Sequence, residues 1–221
     1  MPKVIYLRGA PAAGKSSTTG MLTKGLPELL IWEYGARLTD WVMARSDSIA
    51  DQDDLRTQSA CVVKPEDVAE VDRELLDFVE RNRAAKHVLI DSHPVTKEGY
   101  GYRITPFSLE QFNRLAPDEI WVFYASPEET IRRITDNGGG RPMVTVEEAR
   151  MHTALQASVA ATYSMSVGCP QAPSLAASSR ARAGKAGPMA GHAHGAAKRG
   201  RNPTIATKHF GRAHRSHSRL P

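Results

Sequence analysis

Residues 9–16 read Gly-Ala-Pro-Ala-Ala-Gly-Lys-Ser, a complete phosphate-binding loop of the pattern G-x-x-x-x-G-K-S. The apolar run 4–7 before it predicts a buried strand, and residues 16–24 after it are compatible with a helix. A strand, a glycine loop and a helix in this order place backbone N–H groups and a helix N-terminus around an anion. This context predicts a P-loop that binds ATP or GTP.

The P-loop residues have separate expected roles. Lys15 would neutralise the β- and γ-phosphates, and the Ser16 hydroxyl would ligate Mg²⁺. Asp91 ends the apolar run 87–91, where the acid that coordinates the Mg²⁺ waters belongs, although an ordinary loop-start Asp gives the same pattern. The predicted ATP-binding residues are Gly9, Ala10, Pro11, Ala12, Ala13, Gly14, Lys15, Ser16 and Ser17.

Strand-like and helix-like segments alternate along the first 170 residues. Strands are predicted at 4–7, 29–32, 87–91 and 119–124, and helices at 16–24, 36–44, 65–82, 108 onward, 126–136 and 145–163. Residues 51–57 read as a mobile or short helical segment. Alternation of this kind predicts a parallel sheet covered on both faces, with ligands beyond the carboxyl ends of the strands. The expected fold class is a three-layer α/β/α P-loop NTPase with four recognisable strands.

The charge is divided unequally along the chain. The last 51 residues contain ten Lys or Arg, five His and no acid, which leaves 19 basic and 24 acidic residues in 1–170. The basic part is rich in Ala, Ser, Gly and Pro and cannot bury enough apolar surface to offset its ordering entropy. We expect a P-loop domain at 1–169 and a low-complexity basic tail at 170–221, which we predict to be disordered.

Phosphoryl transfer requires positioning and positive charge more than covalent chemistry. Arg132, Arg133 and Arg141 bracket a glycine run at 138–140, and Arg150 lies in the next helix. A glycine-flanked, arginine-bearing loop after the fourth strand is what a closing lid requires, although arginines on a solvated helix face would look alike. We predict Lys15, Arg56 and Arg141 as the catalytic residues.

The acceptor site is expected between the second and third strands. The predicted acceptor-binding residues there are Tyr34, Arg37, Arg56 and His93. Arg56 could clamp an acceptor phosphate with two hydrogen bonds, or it could pair with the acids around it at 51–54. His93 could bond a base or a phosphate, or satisfy backbone groups of its own loop.

Two cysteines, Cys61 and Cys169, favour a reducing compartment and neither a disulfide framework nor a cysteine metal site. No apolar run approaches the ~18 residues of a membrane helix, and Met-Pro-Lys leads directly into a strand without a signal peptide. These observations predict a cytoplasmic protein without membrane contact.

Several elements together resemble the archaeal-type adenylate kinases over about residues 1–169. Besides the P-loop, they are Tyr34-Gly35, Asp91-Ser92-His93, Lys97, Gly101-Tyr102, Ala116-Pro117-Asp118, Arg132-Arg133, Ala161-Thr162-Tyr163 and Gly168. The resemblance implies the reaction Mg-ATP + AMP ⇌ 2 ADP and a homo-oligomer. It places Lys15 and Ser16 on the donor side, Arg141 in the lid and Arg56 in the acceptor site.

The chain departs from this family at its lid, which is poor in arginine, and after Gly168. There the family pattern continues into a fifth strand and a closing helix, whereas this sequence continues as Cys-Pro-Gln-Ala-Pro-Ser. We therefore expect the fifth strand to be missing from the sheet.

Four other functions compete with this interpretation. The acceptor could be another small metabolite, or the chain could bind ATP without activity or hydrolyse it without an acceptor. The tail could bind nucleic acid through its ten cations, but only non-specifically, because Phe210 is its single aromatic residue.

Overall fold

The computed structural model describes residues 1–105, 107–139 and 141–175, of which 172–175 are described by their backbone. The strands are β1 (Val4–Gly9), β2 (Leu30–Glu33), β3 (Val88–Asp91), β4 (Val95–Glu98), β5 (Gly101–Ile104), β6 (Glu119–Tyr124) and β7 (Gln171–Leu175). The helices are α1 (Lys15–Gly25), α2 (Tyr34–Met43), α3 (Gln52–Val62), α4 (Pro65–Asn82), α5 (Leu109–Leu115), α6 (Pro127–Asp136) and α7 (Val146–Val167). None of the helices in these ranges is both long enough and apolar enough to cross a bilayer.

The main sheet is parallel and has the order β2-β3-β1-β6-β7. Leu7 in β1 pairs with Asp91 in β3, and Gly9 pairs with Phe123 in β6. The end of β1, where the P-loop begins, and the end of β3 therefore meet at the same edge of the sheet. This confirms the predicted α/β architecture and places the P-loop beside Asp91.

Both faces of the sheet are covered by apolar side chains. On one face, Tyr6 lies at the centre of a cluster to which α4, α5 and α7 contribute, and the rings of Phe112 and Tyr163 stack with centroids 3.8 Å apart. On the other face, Leu7 and Leu89 pack in a cluster that includes Ala13 of the P-loop and Leu22 of α1. Successive side chains of a strand point to opposite faces, so β1 supplies both layers.

The prediction that the fifth strand is missing is wrong. β7 pairs in parallel with β6, with Gln171 opposite Ile120 and Leu175 opposite Tyr124. It has no β-branched residue and contains Pro173, so its composition does not predict a strand. As an edge strand it pairs on one side only, which is where a sheet tolerates proline. The predictions that the tail is disordered and binds nucleic acid concern residues from 176 onward, which lie outside the described part of the chain.

A second, two-stranded sheet was not predicted. β4 and β5 form an antiparallel hairpin in which Val95 pairs with Ile104 and Glu98 pairs with Gly101. The segment contains Lys, Glu, Tyr and Arg without regular alternation, so no strand period marks it.

Two helices extend beyond their predicted ends. The segment predicted at 51–57 continues as α3 to Val62, and the helix predicted to end at 163 continues as α7 to Val167.

Candidate active site

The P-loop turns from β1 into α1 through two left-handed residues, Ala12 (φ 57°) and Gly14 (φ 95°). At its start, a Cβ on Gly9 would collide with the carbonyl oxygen of Phe123, so β6 excludes any larger residue there. Ala10 and Ala13 are buried, whereas Ser16 and Ser17 in the first turn of α1 are exposed. The loop thus presents backbone N–H groups and the start of an 11-residue helix at one edge of the sheet.

Lys15 and Asp91 form a loose buried pair beneath this loop. The Lys15 ammonium donates to the carbonyl oxygen of Gly9 (3.2 Å) and lies 3.9 Å from Oδ1 of Asp91. Within the described residues, that Oδ1 atom accepts no hydrogen bond. Burial lowers the pKa of Lys15 and raises the pKa of Asp91, and each charge opposes the shift of the other. A buried cation so weakly compensated is suited to a bound phosphate.

Arg56 and Arg141 converge on one point of the loop that follows α6, which was predicted as a lid and is called the lid loop below. Arg56 donates to the carbonyl oxygen of Gly139 (3.3 Å), while Arg141 donates to that of Gly138 (2.9 Å). A methyl group built on Gly139 would lie 3.2 Å from Nη1 of Arg141 and 3.9 Å from Nη1 of Arg56. Partial burial and the Arg56 charge lower the pKa of Arg141. Two guanidinium groups, from α3 and the lid loop, are therefore brought together.

The same two arginines line a cavity of about 440 Å³ beside the P-loop residues Ala10 and Pro11. Among the described residues, five cationic side chains line it, namely Arg56, Lys64, Lys97, Arg103 and Arg141. The remaining wall is largely apolar or aromatic and includes Leu38, Leu55, Val63, Val68, Tyr34 and Phe107. The cavity therefore fits an acceptor that combines an anionic group with an apolar or aromatic body.

The predicted acceptor-site residues are not all in this cavity. Tyr34, Arg56 and His93 line it, whereas Arg37 lies over the ring of Trp32, with its guanidinium carbon 5.0 Å from the ring centroid. Arg56 lines the cavity and also pairs with Asp53, as the second interpretation of this residue expected; its contact with an acceptor phosphate stays a prediction.

His93 lies between the cavity and the buried pair. Its Nδ1 atom is 3.9 Å from Oδ1 of Asp91, and its side chain is 40% exposed. The pKa of His93 lies well below its usual value because the cavity walls desolvate the imidazolium and because Lys15, Arg141 and Arg56 repel it. A neutral imidazole is therefore expected at neutral pH.

The other arginines considered for the lid have different surroundings. Arg133 donates to the carbonyl oxygen of Ala12 (2.7 Å) and pairs with Glu129, so it connects α6 to the P-loop. Arg132 pairs with Glu129 and Asp136 along α6, and Arg150 pairs with an acid on the exposed face of α7. Among the hydrogen bonds of the described residues, Arg133 is the one of these three arginines that contacts the P-loop backbone.

Sequence reasoning missed three of the charged groups that line the cavity. Asp72 lies on the buried stripe of α4 with Val71, Leu75 and Val79, and an acid at such a position is itself a signal. Lys97 and Arg103 come from the hairpin, which carries no strand pattern. Buried Glu98 anchors that hairpin, because it accepts from the Ser59 hydroxyl (2.9 Å) and lies 3.2 Å from Arg103.

The chain is similar to several known proteins. An adenylate kinase from Pyrococcus horikoshii is 27% identical over 171 residues, which span 75% of this chain and 82% of that protein. Among solved structures, shikimate kinase from Acinetobacter baumannii has 13% identity and a TM-score of 0.42, covering 80% of this chain and 86% of that one. The Deinococcus radiodurans tunicamycin resistance protein has 15% identity and a TM-score of 0.45, covering 80% and 100%.

The family described as AAA domain (AAA_17) matches residues 8–150, which is more than half of the chain. The matched segment contains the P-loop, α3, Asp91, the hairpin and the described part of the lid loop. The chain therefore belongs to the AAA domain family AAA_17, and it is a P-loop kinase-like phosphotransferase.

Proposed function

We propose that the protein transfers the γ-phosphoryl group of ATP to a nucleoside monophosphate, with AMP as the acceptor and two ADP as the products. The observation that carries this proposal is the meeting of Arg56 and Arg141 at Gly139, above a cavity with an aromatic wall beside the P-loop. A phosphate with a ring attached matches both halves of that cavity. The name of the Pyrococcus horikoshii relative supports the same acceptor.

The donor side would be held by the P-loop. Its N–H groups and the start of α1 would bind the phosphate chain of ATP, and Lys15 would neutralise the β- and γ-phosphates from below. Bringing an anion against the buried Lys15 ammonium restores the charged form that burial disfavours.

On the acceptor side, Arg56 would hold the phosphate of AMP and Arg141 would face the phosphoryl group in transfer. The attacking oxygen of AMP forms the new P–O bond as the bond between the γ-phosphorus and the bridging oxygen breaks, and ADP leaves with the electron pair. An ionised phosphate needs no general base, so positioning and positive charge can supply most of the rate.

Mg²⁺ would bind at the Ser16 hydroxyl and near Asp91. The donor set fits, because both residues offer oxygen and because Oδ1 of Asp91 is buried without a hydrogen bond within the described residues. In that part of the chain no three His, Cys, Asp or Glu side chains converge, so the ion would depend on ATP oxygens and water for its other ligands. When bound, it would neutralise phosphate charge.

Arg56 and Arg37 test this acceptor site as a matched pair. Arg56→Ala should raise the KM for AMP by about 10- to 100-fold, because it removes a charge-assisted pair of hydrogen bonds. Arg37→Ala removes an arginine that lies over Trp32 outside the cavity and should change this KM by less than about twofold. Steady-state kinetics with ATP saturating measures both variants. An unchanged KM in Arg56→Ala would contradict a phosphate at this position.

A further inference from the structure

We infer that Asp72 and Tyr34 form the end of the cavity that selects the acceptor's ring, and that they require an N–H donor on that ring. This inference rests on the proposed function and adds a specificity-determining residue to it. The ring of AMP carries such a donor in its exocyclic amino group.

Asp72 is a buried carboxyl group with unused hydrogen-bonding capacity. The residue is 5% exposed, yet it lines the cavity. The Tyr34 hydroxyl donates to Oδ1 of Asp72 over 2.7 Å, and no group in the described residues donates to Oδ2. Unlike Oδ1 of Asp91, Oδ2 of Asp72 is not sealed away from solvent. A carboxylate accepts about four hydrogen bonds, so Oδ2 is available to a ligand.

The surroundings of Asp72 are aromatic. The rings of Tyr34 and Phe107 meet edge to face with centroids 6.4 Å apart, and both line the cavity. The charge of Asp72 also acts on Tyr6 and Tyr163 in the core behind them. A planar ring would pack against these edges, and its amino group would donate to Oδ2.

Asp72 is not explained as a counterion for the cavity's arginines. Arg56 pairs with Asp53, and Arg103 pairs with Glu98. The charges of Arg56 and Arg141 act on Lys15 and His93 at the P-loop end. Among the described residues that line the cavity, Asp72 is the sole carboxylate. The cavity thus has a cationic end for a phosphate and an acidic end for a donor group.

Removing the amino group from the acceptor tests this assignment. The probe is purine riboside 5′-monophosphate, which has hydrogen in place of the AMP amino group. The unaltered chain should prefer AMP by about 10- to 100-fold in kcat/KM, because a hydrogen bond to a charged group is lost. In Asp72→Ala the preference should fall to within about twofold. Asp77→Asn, on the exposed side of the same helix, should keep the full preference.

A second variant keeps the assignment testable if Asp72→Ala does not fold. Asp72→Asn keeps the shape and an oxygen for Tyr34, but its amide group presents a donor to the cavity instead of an acceptor. It should lose the preference for AMP and gain activity with IMP, which carries a carbonyl oxygen at the same ring position. A purely structural role would change AMP and the probe equally.

The outcomes separate the two proposals. If AMP is phosphorylated but the probe is used equally well, or if both Asp72 variants keep the preference, the role of Asp72 is refuted and the proposed function stands. If the chain transfers phosphate to no nucleoside monophosphate, the proposed function fails and this inference fails with it.

Discussion

Ala12 adopts a backbone conformation that favours glycine. Its φ of 57° lies in the left-handed region, where a Cβ costs about 1 kcal/mol or more. Its carbonyl oxygen accepts the hydrogen bond from Arg133, so α6 helps to hold the loop in this strained form. At the scale of single residues, tertiary contacts hold Ala12 of the phosphate-binding loop in a backbone conformation that alanine disfavours.

Ala12→Gly should release this strain. We expect it to raise the free energy of unfolding by about 0.5–1 kcal/mol, the strain relieved being partly offset by a more flexible unfolded chain. Ala13→Gly is the matched control, because Ala13 is buried and is not among the left-handed residues; it should lower the free energy of unfolding instead. Urea unfolding followed by circular dichroism measures both. Equal destabilisation by the two changes would show that Ala12 is not strained.

Asp72 should make stability depend on pH. Burial raises its pKa to about 6, against the Tyr34 hydrogen bond, which lowers it; the charged or titratable groups near it are Tyr34, Tyr6 and Tyr163. The folded state therefore holds a proton that the unfolded state releases near pH 4. Stability from this group falls as pH rises from about 4 to about 6, by on the order of 2–3 kcal/mol.

Asp72→Asn removes this titration. Its free energy of unfolding relative to the unaltered chain should rise by on the order of 2–3 kcal/mol between about pH 4 and pH 7.5. Asp77→Asn, at a half-exposed position of the same helix, is the matched control. A constant difference for Asp72→Asn across this range would show that the carboxyl group is not desolvated in the fold.

At the scale of elements, β7 is the least expected part of the sheet. It carries no apolar pattern, and its pairing with β6 begins with the Ile120 N–H donating to the Pro170 carbonyl oxygen (3.1 Å). Because an edge strand is held by backbone hydrogen bonds on one side, its stability depends on the strand it joins. β6 is largely buried and apolar and supplies a fixed template.

Two shortened chains test the contribution of β7. A chain that ends at Leu175 retains the strand and is the reference. A chain that ends at Pro170 lacks it and should lose about 2–4 kcal/mol, since several backbone hydrogen bonds are removed and the β6 edge is uncovered. Differential scanning calorimetry measures both. Equal stability of the two shortened chains would mean that β7 contributes nothing to the fold.

Elements stabilised by local sequence signals are predicted well, and elements stabilised by tertiary pairing are not. α4 and β6 occur at the residues expected from sequence, because their apolar spacing and end residues are local signals. β7 and the β4–β5 hairpin depend on tertiary pairing, which no local pattern records. In the site, Arg56 and Arg37 look alike in sequence, and only the packing of α2 on Trp32 separates them.

At the scale of the whole molecule, the charge of the cavity lining is opposite in sign to the net charge of residues 1–170. Residues 1–170 contain more acids than bases, yet the part of the chain that the structure describes lines the cavity with five cations and one carboxylate. Two of these cations come from separate elements, α3 and the lid loop, and hold adjacent carbonyl groups of the lid. An acceptor phosphate would therefore couple α3, the lid and the P-loop.

A ligand that spans both proposed nucleotide sites should stabilise this arrangement. Diadenosine pentaphosphate with Mg²⁺ at about 100 times its Kd should add about 2.7 kcal/mol to the free energy of unfolding. For a chain of this size that is a rise of roughly 5–10 °C in the unfolding temperature. Lys15→Met should respond much less, since it loses the cation beneath the phosphates. The same shift in both chains would place the ligand elsewhere.

The measurement that tests the central claim most directly is the product balance of the reaction by ³¹P NMR. The unaltered chain, incubated with Mg-ATP and AMP, should form two ADP for each AMP consumed and release no inorganic phosphate, and Lys15→Met should form none. ADP produced together with an equal amount of inorganic phosphate, at a rate that AMP does not change, would contradict phosphoryl transfer to a nucleoside monophosphate.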